Sequence, residues 1–136
     1  MTALTQDRNT PRRPREKRTL PIKAATKVYA GSMAAVDASG WLVPMSTATT
    51  LKGVGRVERR TDNTAGGNGA LTADVMVGTF RFANSASGDL ITLADIGNDC
   101  YGVDDQTVAK TNGGSTRLIA GKIYDVDAQG VWVTFS

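Results

Sequence analysis

The sequence predicts an all-β domain, a small β-barrel or β-sandwich built from hairpins, with an extended N-terminal arm. Three observations lead there. Short β-branched runs alternate with Gly, Asp and Asn turn signals along most of the 136 residues. No stretch carries the apolar period of a long amphipathic helix. One hairpin design is also written twice: "AGSMAAVDASGWLV" from Ala30 and "AGKIYDVDAQGVWV" from Ala120 align without gaps. They share Ala-Gly, then Val-Asp-Ala-x-Gly, then a final Val.

The chain divides by charge. Residues 1–23 hold seven basic and two acidic side chains, whereas the other 113 residues hold nine basic and eleven acidic ones. A basic arm (1–23) is thus joined to a mildly acidic β-rich domain (24–136). Pro11, Pro14 and Pro21 each remove a backbone donor and push the preceding residue toward extended geometry, so the arm is not a stable helix. Residues 1–18 are expected to be extended or disordered in the free protein, for want of apolar surface to bury. "TLPIKA" then opens the body as a strand with Leu20 and Ile22 on one face. Composition leaves three roles open for the arm: a solvated tail, contact with nucleic acid phosphates, or docking on an acidic protein surface. It has no aromatic residue on which single-stranded bases would stack.

In the body, strands are expected at 26–30, 33–37, 41–45, 52–60, 100–103, 107–110 and 117–126. At the C-terminus "GVWVTFS" puts Val131, Val133 and Phe135 on a core face, with Trp132 and Thr134 opposite. Trp132 is then half-covered by another element or part of a subunit contact, since Trp is enriched at interfaces. The run "ADVMVGTFRFAN" is apolar on both faces around Val75–Val77, which predicts a strand covered on both sides, and Gly78 marks a bulge or close approach. The duplicated hairpins place tight turns at Asp37–Gly40 and Asp127–Gly130, with the Asp side chain bonding the turn backbone. "YGVDDQTVA" (101–109) reads as a third hairpin. The Gly- and Asn-rich stretch 61–69 reads as a flexible surface loop and a candidate contact loop. The segment 83–98 has room for one short helical turn near Leu93–Ile96.

Catalytic chemistry is hard to assemble from these residues. The chain has no His, which removes the commonest general base and metal ligand. The single Cys100 forms no internal disulfide and reads as a small packed residue. Asp104 and Asp105 lack the ligand spacing of a calcium loop, and "GGNG" (66–69) and "NGG" (112–114) lack the Lys-Ser/Thr and helix of a phosphate loop. No run of 18 apolar residues predicts a membrane helix, and the charged N-terminus lacks the apolar core of a secretory signal. The expectation is a protein without enzyme activity, cofactor or metal.

The order of these elements resembles a family. An opening strand is followed by "AGSMAAVDASGWLVP", "LKGVGRVE", "VMVGTFRFAN" and "GDLITLADIGNDCYGVDDQTVAK", and then by the closing hairpin "LIAGKIYDVDAQGVWVTF". Over residues 22–136 this is similar to the capsid decoration, or cement, proteins of tailed phages and prophages. Each motif alone is a hairpin signature, and their order carries the resemblance. It implies a structural virion protein, made in the host cytoplasm, that binds the outer surface of the assembled capsid and clamps neighbouring major capsid protein subunits. It also implies self-association, as a homotrimer or a dimer, with no membrane. The capsid-binding arm would comprise Arg12, Arg13, Arg15, Lys17, Arg18, Leu20 and Ile22, with Trp41 and Trp132 as the candidate subunit interface. The basic stretch Arg12–Arg18 departs from the family pattern and points to an acidic coat surface. The alternatives are a nucleic-acid-binding small β-barrel with a basic arm, the less favoured partner class, and a tail or connector component.

Overall fold

The structure, a computed structural model, describes residues 2–136. Strand makes up 43% of the chain and no α-helix forms among the described residues, so the fold is all-β. The twelve strands are β1 (Lys17–Pro21), β2 (Thr26–Val28), β3 (Met33–Val36), β4 (Leu42–Pro44), β5 (Lys52–Val57), β6 (Thr61–Asn63), β7 (Thr72–Met76), β8 (Gly78–Phe82), β9 (Asp99–Gly102), β10 (Val108–Ala109), β11 (Ile119–Asp127) and β12 (Gly130–Phe135). They form three antiparallel sheets, in the orders β1-β7-β5-β3-β4, β10-β9-β11-β12-β8 and β2-β6. Two 3-10 turns, Ser87–Asp89 and Leu93–Asp95, interrupt the segment between β8 and β9.

No sheet closes into a barrel, although both large sheets curl until their end strands touch. In the first, Ile22 bridges Leu42, and the Lys23 amide donates to the Leu42 carbonyl at 3.1 Å. In the second, Ala83 bridges Thr107, and the Val108 amide donates to the Ala83 carbonyl at 3.0 Å. Each closure is one bridge rather than a ladder.

Two apolar clusters fill these curls. One joins Phe82, Val108, Ile123, Val131, Val133 and Phe135 of the second sheet to Met33, Ala35 and Val43 of the first and to Met45 just beyond it. The other holds Ile22, Val28, Leu42, Val57 and Val75. Strand alternation explains the split, since Met33 and Ala35 point into the first cluster while Ala34, between them, points into the second. Where the sheets cross, the residues are small. An added Cβ at Gly53 on β5 would lie 2.2 Å from the Ala120 carbonyl oxygen on β11.

The duplicated motif forms two hairpins, β3–β4 and β11–β12. In the first turn, Asp37 Oδ1 accepts from the Ser39 and Trp41 amides at 2.9 and 3.0 Å. In the second, Asp127 Oδ1 accepts from the Gln129 and Gly130 amides at 2.8 and 3.1 Å. The third hairpin pairs β9 with β10, and Asp104 Oδ1 accepts from the Gln106 amide at 2.9 Å.

Three expectations change. The run 73–84 is two strands, because at Gly78 (φ 142°) the chain leaves the first sheet, as β7, and enters the second, as β8. The stretch 61–69 begins with strand β6, which pairs with β2. Its Asn63 is buried, and Nδ2 donates to the Lys23 and Gly67 carbonyls at 3.0 Å each. The entry strand also begins earlier than "TLPIKA": it runs over Lys17–Pro21 in the first sheet, while residues 2–16 contribute no strand and are exposed.

Candidate functional site

The basic segment meets the body at an exposed sheet edge. Among the described residues β1 pairs only with β7, in a register that sets Arg18 opposite Val75 and Leu20 opposite Ala73. The Val77 amide donates to the Glu16 carbonyl and the Ile22 amide to the Leu71 carbonyl, both at 3.0 Å. Even-numbered residues of β1 therefore turn their backbone groups toward β7, and odd-numbered ones turn them outward. The outward set is Lys17, Thr19 and Pro21. Pro21 fits there because it has no N–H to leave unpaired on a free edge. The N–H and C=O groups of Lys17 and Thr19 have no hydrogen-bond partner among the described residues.

Of the residues expected to form the binding arm, Arg12, Arg13 and Arg15 are exposed and have no ion-pair partner among the described residues. Lys17 lies 3.5 Å from Asp74 Oδ2, and Arg18 Nη2 donates to the Ser136 carbonyl at 3.4 Å. Arg13, Arg15, Lys17 and Arg18 line a hollow of about 400 Å3 with Pro14 and Val77, with no carboxylate in its wall. A concavity lined by one sign of charge attracts the opposite sign.

Leu20 and Ile22 lie on one face, which turns toward the body. Ile22 is fully buried in the second cluster and Leu20 packs against it. They fasten the arm to its own body, and Ile22 has no surface to offer a coat subunit. The sequence signal, two apolar residues on one strand face, was sound; it could not say which core they enter.

Trp41 and Trp132 are both half-buried. The 64–71 loop crosses the Trp41 ring at Gly69, where an added Cβ would lie 3.2 Å from Cζ3. Trp132 stands on the outer face of β12; its Nε1 donates to Asp127 Oδ2 at 2.9 Å, and the Arg81 guanidinium sits 5.6 Å from its ring. The two tryptophans belong to different sheets, and no contact between them is observed. The sequence gives no signal for the cleft that Trp132 shares with Phe80 and Arg81 of β8 and Arg56 of β5, because three separated strands bring these residues together.

The perturbed titratable groups have structural causes. Asp37 is held below the usual carboxylate range chiefly by the Trp41 amide, Asp127 by the Trp132 indole, Asp89 by the Thr111 hydroxyl and Asp74 by the Thr19 hydroxyl. Burial pushes the Cys100 thiol up to about 12, as expected of a packed residue away from solvent. Among the described residues no group of three or more His, Cys, Asp or Glu side chains gathers with metal-binding geometry. Comparison with known protein families, curated proteins and solved structures gives no match.

Proposed function

We propose that this chain is a non-enzymatic structural protein of a phage particle, a two-sheet β-sandwich that binds the outer capsid surface and cements neighbouring coat subunits. The observation that carries the reading is the junction at residues 12–19. A run of unpaired cations leads directly into a strand whose outward N–H and C=O groups at Lys17 and Thr19 are free. Such an edge accepts an extended acidic segment by strand addition, with main-chain bonds giving affinity and the cations giving register. The resemblance over residues 22–136 supplies the class of partner, a major capsid protein. Binding the assembled lattice in preference to free subunits stabilises the shell by mass action, and subunit contacts near Trp41 or Trp132 would add avidity.

Deleting residues 2–16 tests this on purified expanded capsids. The truncated protein is expected to keep its melting temperature and to lose occupancy on the order of tenfold at limiting concentration. Undiminished occupancy would remove the arm from the mechanism. The hollow whose charged lining is all cationic favours one second reading, nucleic acid binding. That reading requires affinity for DNA to fall linearly with the logarithm of salt concentration, with a slope set by the number of phosphates neutralised.

A further inference from the structure

We infer that the free edge of β8 is a second docking site, one that takes an extended acidic segment of another protein as an added strand. It lies apart from the arm and uses none of residues 2–19. β8 ends the second sheet, and among the described residues its only ladder is with β12. The Phe82 carbonyl points at β12, since an added Cβ at Gly130 would meet it at 2.4 Å. The next residue, Ala83, points the other way: its amide donates to the Gln106 carbonyl and its carbonyl accepts from Val108. By strand alternation the backbone groups of Thr79 and Arg81 share Ala83's direction, away from β12. Ala83 is satisfied by the bridge to Thr107, but no strand reaches Thr79 or Arg81.

The side chains beside this edge specify charge. A cleft of about 400 Å3 runs along it, walled by Arg56, Phe80, Arg81 and Trp132. The Arg81 guanidinium lies over Trp132 and donates to Gln129 Oε1 at 2.8 Å; the Asp127 carboxylate feels its charge but makes no direct ion pair with it. The Arg56 guanidinium sits 4.5 Å from the centre of the Phe80 ring and shares the exposed Glu58 at 3.1 Å. The two arginines stand on opposite faces of the strand, because Phe80 and Arg81 alternate. An added strand would set one side chain opposite Arg81, on the Trp132 face, and the next against Phe80 and Arg56. An acid suits the first position, and an apolar residue suits the second. Alternating N–H and C=O groups match a peptide backbone, which makes a phosphate backbone the poorer fit.

The test uses the full-length protein and a capped octapeptide of alternating Asp and Val, with the Lys-Val octapeptide and a dT15 oligonucleotide as the other arms. Amide exchange and NMR shifts locate binding. The Asp-Val peptide is expected to protect the Thr79 and Arg81 amides. Arg81→Gln should weaken it on the order of tenfold. Thr79→Pro should abolish the protection at Arg81 while leaving the fold intact, because proline is tolerated where the N–H faces outward. Protection confined to Lys17 and Thr19 would overturn this inference while leaving the arm reading standing. Equal binding of the Lys-Val peptide, binding of the oligonucleotide alone, or no protection at Thr79 and Arg81 would each overturn it as well.

Discussion

Replacing Gly53 by Ala probes the crossing of the two large sheets. The new Cβ would lie 2.2 Å from the Ala120 carbonyl oxygen and 2.7 Å from the Ala120 Cα. Carbon and oxygen ordinarily approach to about 3.3 Å, so the sheets must part by about 1 Å. Both atoms met are backbone, and no side chain can rotate to relieve them. The first apolar cluster draws on both sheets, and a gap of about 0.5–1 Å forfeits a quarter to a half of each contact that spans it. The expected loss lies at the upper end for overpacking, about 3 kcal/mol, or a fall in Tm of roughly 10 °C for a chain of this size. Calorimetry and urea unfolding measure it. Gly67→Ala is the control, since no atom lies within 4 Å of an added Cβ there, and it should shift stability by no more than about 0.5 kcal/mol. A loss below about 1 kcal/mol for Gly53→Ala would mean that the sheets do not approach as described.

Three further outcomes are expected. Ile22→Ala should cost about 2–4 kcal/mol, because a fully buried side chain leaves a cavity, and hydrogen exchange at the Arg18 and Leu20 amides should accelerate in step; unchanged exchange would mean that β1 is held by other contacts. Acid should destabilise the fold: Asp37, Asp74, Asp89 and Asp127 sit below their ordinary value of 3.8, so the unfolded chain binds more protons in that window. Stability present above pH 3.8 should therefore be lost as pH falls through the lower folded values, and urea midpoints between pH 6 and pH 2 read this out. Cys100, with its thiol pushed up to about 12, should be silent to a disulfide reagent at pH 8 in the native protein and react fully in denaturant.

Much of the fold was legible because its strands alternate. β12 shows Val131, Val133 and Phe135 inward and Trp132 outward, and the two Asp-Ala-x-Gly turns fall where the duplicated motif put them. β6 was not legible, because Thr61, Asp62 and Asn63 are polar and gain strand geometry only from pairing with β2. The sheet change at Gly78 was not legible either, since alternation gives faces and not partners. The site divides in the same way. The run of cations was plain in the sequence. The unpaired backbone of Lys17 and Thr19 depends on register with β7, and the grouping of Arg56, Phe80, Arg81 and Trp132 depends on three strands meeting. Pro21 was the one local hint of an edge, two residues beyond Thr19 in the same outward series.

The single-bridge closure at Ile22 has a mechanical consequence. Tension on residues 2–16 enters the body at the backbone bond just ahead of β1, from the Val77 amide to the Glu16 carbonyl. Drawn sideways, the strand would come away one pair at a time, through Arg18 and then Leu20, as a zip opens. Drawn along its own axis, it would load those pairs together and stop against the buried Ile22. The direction of pull thus decides whether the leader acts as a tear-strip or as a tether.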